Sequence, residues 1–283
     1  MISIELISKG EYHLNNTLES IRRQDFNDFE TVCADSSGRK EVERLLDDYG
    51  CKVIEIPVET RALSARYQSH LNSKGEWCLL LDSTRPLKNE TLSSLMKKYS
   101  KYDMTIIKED SIGIGFWAEQ ARKLADISAS QFNRLETETL AFLLPRFYKR
   151  EVLDFSFSNI REITKSVFDK ISYGEHHLIF EQAKKLSKNI GFTDEKFISH
   201  YEDDSLLKIL RKYHWYGKSQ RTLDLISSTD TKSLSKHVRR SVPFRKRFET
   251  TPISMARILS FLFGYFIVCA FYFYNHVECG TGM

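Results

Sequence analysis

Apolar and polar positions switch between two periods along the first hundred residues. "ISIELIS" (2–8) reads as a strand, and "LNNTLESIRRQ" sets Leu14, Leu18 and Ile21 on one face of a helix. "FETVCAD" (29–35) is again a strand, and "KEVERLLDDYG" a helix stopped by glycine. "KVIEIPV" (52–58), "ALSARYQSHLNSKG" and "WCLLLDS" repeat the strand, helix, strand order. A switch every 10 to 15 residues predicts βαβ units, hence an α/β fold on a mostly parallel sheet with helices on both faces.

Further on, "FWAEQARKLADI" has a wide apolar helical face, and "AFLLPRFYKREVL" reads as a strand broken by Pro145. "SYGEHHLIFEQAKKL" is a turn into a helix. "FTDEKFISHYEDDSLLKILRKYHWYGKS" holds a short strand, His200, three acids and a basic aromatic helix. The C-terminus changes character. "ILSFLFGYFIVCAFYFY" (258–274) has no charge and as a helix would be about 25 Å long, near the lower limit for crossing a bilayer. Thr251-Pro252 suits a helix N-cap followed by proline, so a membrane-spanning or membrane-embedded helix is expected over 252–275. A buried core helix or an oligomer contact is the alternative. The expected organisation is a catalytic-type domain over 1–220, a basic linker over 221–251, the apolar helix, and a short tail over 276–283.

Composition narrows the class. A chain of 283 residues with 41% apolar and 12% aromatic content can fill a substantial core, and its net charge of +4 gives no argument for nucleic acid. Five cysteines without a C-x-x-C spacing exclude a disulfide framework or structural zinc pattern, and Cys33 and Cys78 sit in apolar runs as small buried residues. The N-terminus lacks the basic and apolar regions of a signal peptide. Six Lys/Arg between 236 and 247 directly precede the apolar segment, whereas the tail after it carries none. That asymmetry places the preceding chain on the cytoplasmic side and attracts anionic lipid. The expected location is the cell membrane, with one C-terminal anchor and a cytoplasmic catalytic domain.

Open parallel sheets bind ligands at the carboxyl ends of their strands. Two strands end there in aspartate, Asp35 and Asp82. Each alone is as well explained as a turn former or helix cap. No G-x-G-x-x-G follows a strand, and no Walker A or G-x-S-x-G sequence occurs.

The ordered series "TLESIRRQDFNDFETVCADSS" (17–37), "RALSARYQSHLNSKGEWCLLLDS", "GFWAEQARK", "PRFYKREVL", "ISYGEHHL" and "HYEDDSLLKILRKYHWYGK" resembles the family 2 glycosyltransferases, of the membrane-anchored microbial type. The resemblance covers residues 1–220. It implies a GT-A fold and an inverting transfer of a sugar from a UDP- or GDP-linked donor. With the C-terminal segment, it suggests a polyprenyl-phosphate or glycolipid acceptor. It makes Asp35 the carboxylate at the nucleotide base, Arg66 a helix arginine near the nucleotide, and Asp82 the first acid of a D-x-D that holds Mg²⁺ or Mn²⁺ on the donor diphosphate. His200 takes the place of a late histidine near metal or diphosphate. The Gly174-Glu175 turn takes the place of the general base, with Glu175 first and His176 second.

Three departures stand out. Thr84 replaces the second acid of D-x-D, His176 replaces the usual aspartate, and "SKGE" (8–11) follows the first strand where the family has Pro-Thr-x-Asn. Arg85 is then a candidate donor ligand that supplies positive charge in place of a firmly held metal. The same losses suit a degenerate, non-catalytic nucleotide-sugar-binding relative, and an unrelated α/β membrane protein is the third alternative. Arg66 could equally be a solvated helix charge, and His200 could simply pair with a nearby acid.

Overall fold

The computed structural model describes residues 1–131, 145–226 and 252–264. The chain divides into two compact units, one formed by residues 1–112, 142–169 and 175–201, the other by 113–141, 170–174 and 202–283.

The first unit is built on β1 (Ile2–Ser8), α1 (Leu14–Arg22), β2 (Phe29–Asp35), α2 (Lys40–Asp48), β3 (Lys52–Glu55), α3 (Ala62–Asn72) and β4 (Trp77–Asp82). There follow α4 (Thr91–Ser94), which runs on into a π turn, and β5 (Met104–Ile112). In this unit β6 is Pro145–Lys149, α6 is Arg150–Thr164, α7 is Glu175–Leu186 and β7 is Ile190–Tyr201. Seven strands form one sheet in the order β3-β2-β1-β4-β6-β5-β7. The four strands expected from the alternating pattern lie side by side and parallel, and β5 and β7 are also parallel. β6 runs antiparallel to both of its neighbours.

Successive side chains on a strand point to opposite faces. Ile2, Ile4 and Leu6 of β1 therefore share one face, where they pack with Leu14, Leu18 and Ile21 of α1 and Val42 and Leu46 of α2. Glu5 faces the other way, towards α3, where its carboxylate meets His70 Nδ1 at 2.9 Å and Ser73 Oγ at 2.7 Å. The other ring nitrogen of His70 meets Asp154 of α6 at 2.9 Å, so one polar chain ties β1, α3 and α6. Helices thus cover both faces. Cys33, Cys51 and Cys78 are buried free thiols.

Two strand boundaries differ from the sequence pattern. β3 stops at Glu55 rather than reaching residue 58, because Pro57 has no N–H to offer a ladder. β6 is described from Pro145 to Lys149, and the part of the expected strand before the proline lies outside the described residues. The strand before residue 201 is long, twelve residues, since eight of them pair with β5 across two shifts of register.

The second unit contains α5 (Phe116–Gln131), α8 (Leu206–Ile226) and a helix over 252–264, here α9. Ile253 packs with Ala121 and Ile209, and Trp117, Tyr213 and Ala256 lie against them. A Cβ on Gly264 would run into the carbonyl oxygen of His214, so only glycine permits the close crossing of α9 over α8. Ser260 Oγ donates to the Leu210 carbonyl, and the Arg257 guanidinium sits 5.1 Å from the Tyr213 ring centre. The opposite stripe of α9, Met255, Ile258, Leu259, Leu262 and Phe263, is exposed. Among the described residues no helix is long and apolar enough to cross a membrane. The basic run 236–247 and the later half of the apolar segment lie outside the described residues.

Candidate functional site

Strand register brings the chemistry to one edge. Ser8 pairs with Asp35, and Ile7 with Asp82, so the tips of β2 and β4 flank the end of β1. The two aspartates then behave differently. Asp35 accepts from Ser37 Oγ at 2.6 Å and from the Ser37 N–H at 3.3 Å, which shapes the turn after β2. Asp82 instead is the centre of a cage of arginines.

The turn after β4 closes with the Arg85 N–H donating to the Asp82 carbonyl at 3.0 Å. This folds Arg85 back, so that its Nη1 donates to Asp82 Oδ2 while its Nε reaches Glu109 Oε2 at 3.2 Å. Arg66 approaches from α3 and donates to Asp82 Oδ1. It is 1% exposed, so the reading of a solvated helix charge is wrong: Arg66 is on the inward face of α3, one turn before the buried His70. Arg146 enters from β6. Its Nε donates to Glu109 Oε1, and its Nη1 lies 3.5 Å from Asp82 Oδ2. Burial alone would raise the Asp82 carboxyl, but Arg66, Arg85 and Arg146 outweigh it and hold the group well below its ordinary 3.8. Burial is likewise overcome at Glu109, where Arg146 and Arg85 pull the carboxyl down to about 2.

Gly174, at φ 81°, takes the left-handed turn that lets α7 begin at Glu175. Glu175 Oε1 lies 3.6 Å from Arg66 Nη2. Its carboxyl is raised above the ordinary 4.5, because burial outweighs the pull of Arg66. His176 Nε2 lies 2.8 Å from Arg66 Nη2 and 3.2 Å from Arg146 Nη1. Both guanidiniums are obligate donors, so Nε2 must accept and the ring proton belongs on Nδ1. Burial, then Arg66 and Arg146, push this imidazole well below 6.5 and keep it neutral.

Of the residues singled out in the sequence, Arg66, Asp82, Arg85, Glu175 and His176 come together. Asp35 lies on the same edge with its carboxylate given to the Ser37 turn. His200 sits on β7 opposite Ser111. Arg146 and Glu109 were not anticipated. Their only sequence signal is a pair of charges flanking two aromatic residues in "PRFYK" and an acid in the polar end of "MTIIKEDSI".

A divalent cation at Asp82 would need carboxylate oxygens turned toward it. Here both oxygens are engaged by guanidinium groups, Thr84 holds the place of a second acid, and three positive side chains repel a cation. Among the described residues the one cluster with three metal-ligand atoms in mutual reach is Glu5, His70 and Cys78, which includes neither Asp82 nor His200. The residues at Asp82 do not fit a metal site.

A family model described as "Glycosyl transferase family 2" matches residues 10–175. No curated protein sequence matches the chain. Among solved structures, S. aureus TarS aligns over 93% of this chain with a TM-score of 0.56 and 16% identity; this chain spans 54% of that one. S. aureus TarS 1–349 in complex with UDP-GlcNAc aligns over 92% of this chain and 81% of its own, with a TM-score of 0.53 and 15% identity. The mannosyltransferase PcManGT from Pyrobaculum calidifontis, in complex with GDP-Man and Mn²⁺, aligns over all of this chain and 76% of its own, with a TM-score of 0.51 and 11% identity. At such identities the likeness shows a shared GT-A-like fold.

Proposed function

Because the chain belongs to glycosyl transferase family 2, and is by that membership a nucleotide-sugar-dependent glycosyltransferase, we propose that it transfers a hexose, with inversion, onto a lipid-linked acceptor. The donor is a UDP- or GDP-linked sugar and the acceptor a polyprenyl phosphate or glycolipid at the cytoplasmic face of the cell membrane. The observation that carries the donor site is the convergence of Arg66, Asp82, Arg85 and Glu175 on one strand-end edge. Glu175 is the general base: its carboxylate is buried beside Arg66, whereas the accepting nitrogen of His176 is already given to two arginines. TarS binding UDP-GlcNAc and PcManGT binding GDP-Man make uridine and guanosine donors the ones to try first. The chain, titrated with a panel of UDP- and GDP-sugars, is expected to gain roughly 2.7 kcal/mol of stability at 100 times the dissociation constant of the right donor. Mass spectrometry of extracted lipids would then show the glycosylated acceptor. No stabilisation by any donor would overturn the reading.

Two observations favour the second reading, a binding protein without transfer. Histidine replaces the family's usual acid at position 176, and arginines saturate Asp82. Stabilisation by a donor with neither transfer nor donor hydrolysis would establish it.

Placement at the membrane rests on α9. Its exposed stripe of Met255, Ile258, Leu259, Leu262 and Phe263 opens an uncharged run that continues to Tyr274, and six Lys/Arg precede it. A helix with one face on protein and the other apolar can lie in a bilayer interface. The full chain is expected to float with vesicles containing anionic lipid, and Leu259→Glu with Phe263→Glu to remove most of the floated fraction. Equal flotation of the double variant would sink the role of α9.

A further inference from the structure

The same arginine cage deepens the reading of a donor site and rests on it. We infer that this chain grips the donor diphosphate with guanidinium groups, Arg85 foremost, and uses no divalent cation there. In this arrangement Asp82 is the anchor that holds three arginines in place rather than a metal ligand.

Four observations carry this. Each Asp82 oxygen is bound by an arginine, Oδ1 by Arg66 and Oδ2 by Arg85, and Arg146 stands 3.5 Å from Oδ2. Glu109 holds Arg85 and Arg146 from the other side, which fixes both forks in space. Three guanidiniums meet Asp82, Glu109 and Glu175, so the cage is balanced in charge and offers a diphosphate guanidinium donors rather than a net positive charge. Arg66 is fully buried yet its Nε and Nη1 have no hydrogen-bond partner. Buried donors left open cost stability unless a ligand takes them.

The chemistry is suited to the task. A guanidinium presents parallel N–H donors that match two phosphate oxygens, and its charge persists at every physiological pH. A metal performs the same neutralisation as a Lewis acid, but needs the oxygen ligands this edge has committed elsewhere. Arg85 is the most exposed of the three at 16%, and it follows the strand tip directly, so it is the one an incoming phosphate reaches first. More positive charge lies along this edge. The Lys9 ammonium, just past the end of β1, is lowered first by burial and then by Arg61.

The test is calorimetric titration of the full chain with UDP, UMP, GDP and GMP, in excess EDTA and in excess Mn²⁺. For the preferred base, the diphosphate is expected to bind about tenfold or more tighter than the monophosphate in EDTA, as one charged hydrogen-bond pair provides. Mn²⁺ should leave that gap unchanged. Arg85→Ala should erase the gap with monophosphate affinity unaltered, and Arg85→Lys should restore it only in part. Thr84→Asp, which supplies the missing acid, should make the gap respond to Mn²⁺. A wild-type gap that appears only with Mn²⁺ would overturn the inference while leaving the donor site standing. Absence of binding by any nucleotide under both conditions would overturn the donor site as well.

Discussion

Glu175→Gln is expected to lower turnover by about 10²–10⁴-fold, the usual worth of a positioned general base, with donor affinity nearly unchanged. The substitution keeps the side chain's shape and removes only its ability to take a proton. The wild-type carboxyl is raised above 4.5 because burial outweighs the neighbouring Arg66, and a raised value makes the ionised form a stronger base. The sign follows directly. A base at Glu175 works as the carboxylate, so kcat is expected to fall as pH drops through a limb that lies above 4.5. His176 is neutral across the same range and contributes no limb near 6.5. A pH–rate profile of the wild type, Glu175→Gln and His176→Ala separates the two residues. Full activity in Glu175→Gln, or a limb near 6.5 that vanishes in His176→Ala, would remove Glu175 from this role. An acceptor that arrives already ionised, such as a lipid phosphate, would then need no protein base.

Asp82→Asn is expected to destabilise the fold by about 3–5 kcal/mol, the range for breaking a buried ion pair from one side. The loss comes from what remains. Arg66 and Arg146 are 1% and 9% exposed, and without Asp82 their charges face each other with only Glu109 and Glu175 to offset them. Urea unfolding at neutral pH measures this as a lower midpoint at unchanged slope. The pH dependence is a second check. Asp82 is held well below 3.8 in the folded chain, so its contribution is complete above 3.8 and is lost as pH falls through the depressed folded value. The wild-type and Asp82→Asn stabilities should therefore run parallel from pH 8 to pH 5 and converge only in strong acid. A difference under about 1 kcal/mol at pH 7 would show that water, not the carboxylate, shields the cage.

The parallel half of the sheet was legible because β1, β2 and β4 are short and largely buried. "WCLLLD" reads as an unbroken apolar run, and α1 and α2 show their periods cleanly. The two strand-end aspartates were visible for the same reason: a charge closing such a run lies at an edge. The rest of the site was hidden. Arg146 lies 64 residues beyond Asp82, in a strand headed by proline, and only the antiparallel entry of β6 between β4 and β5 brings it to that edge. Glu109 comes from a strand whose second half is polar, which resembles an exposed edge until β7 covers it. Arg66 was marked by family pattern, but an arginine on a helix does not announce whether it faces in or out. Nor does a histidine in place of an acid announce that two guanidiniums will fix its tautomer.

The sheet order also sets a timetable for a ribosome. β1 to β4 leave the exit tunnel in order and can pair as they arrive, but the far side of β4 is reserved for β6, whose first residue comes 63 positions after Asp82. At 5–20 residues per second that is about 3–13 s during which an apolar strand carries an open edge. The tip of that strand is better protected than its body. Arg66 and Arg85 are already translated at, or three residues after, the moment Asp82 appears, and both are salt-bridge partners of its carboxylate. The newborn chain thus meets this wait with its charged end satisfied and its hydrophobic flank bare, and that flank is where a chaperone would have something to hold.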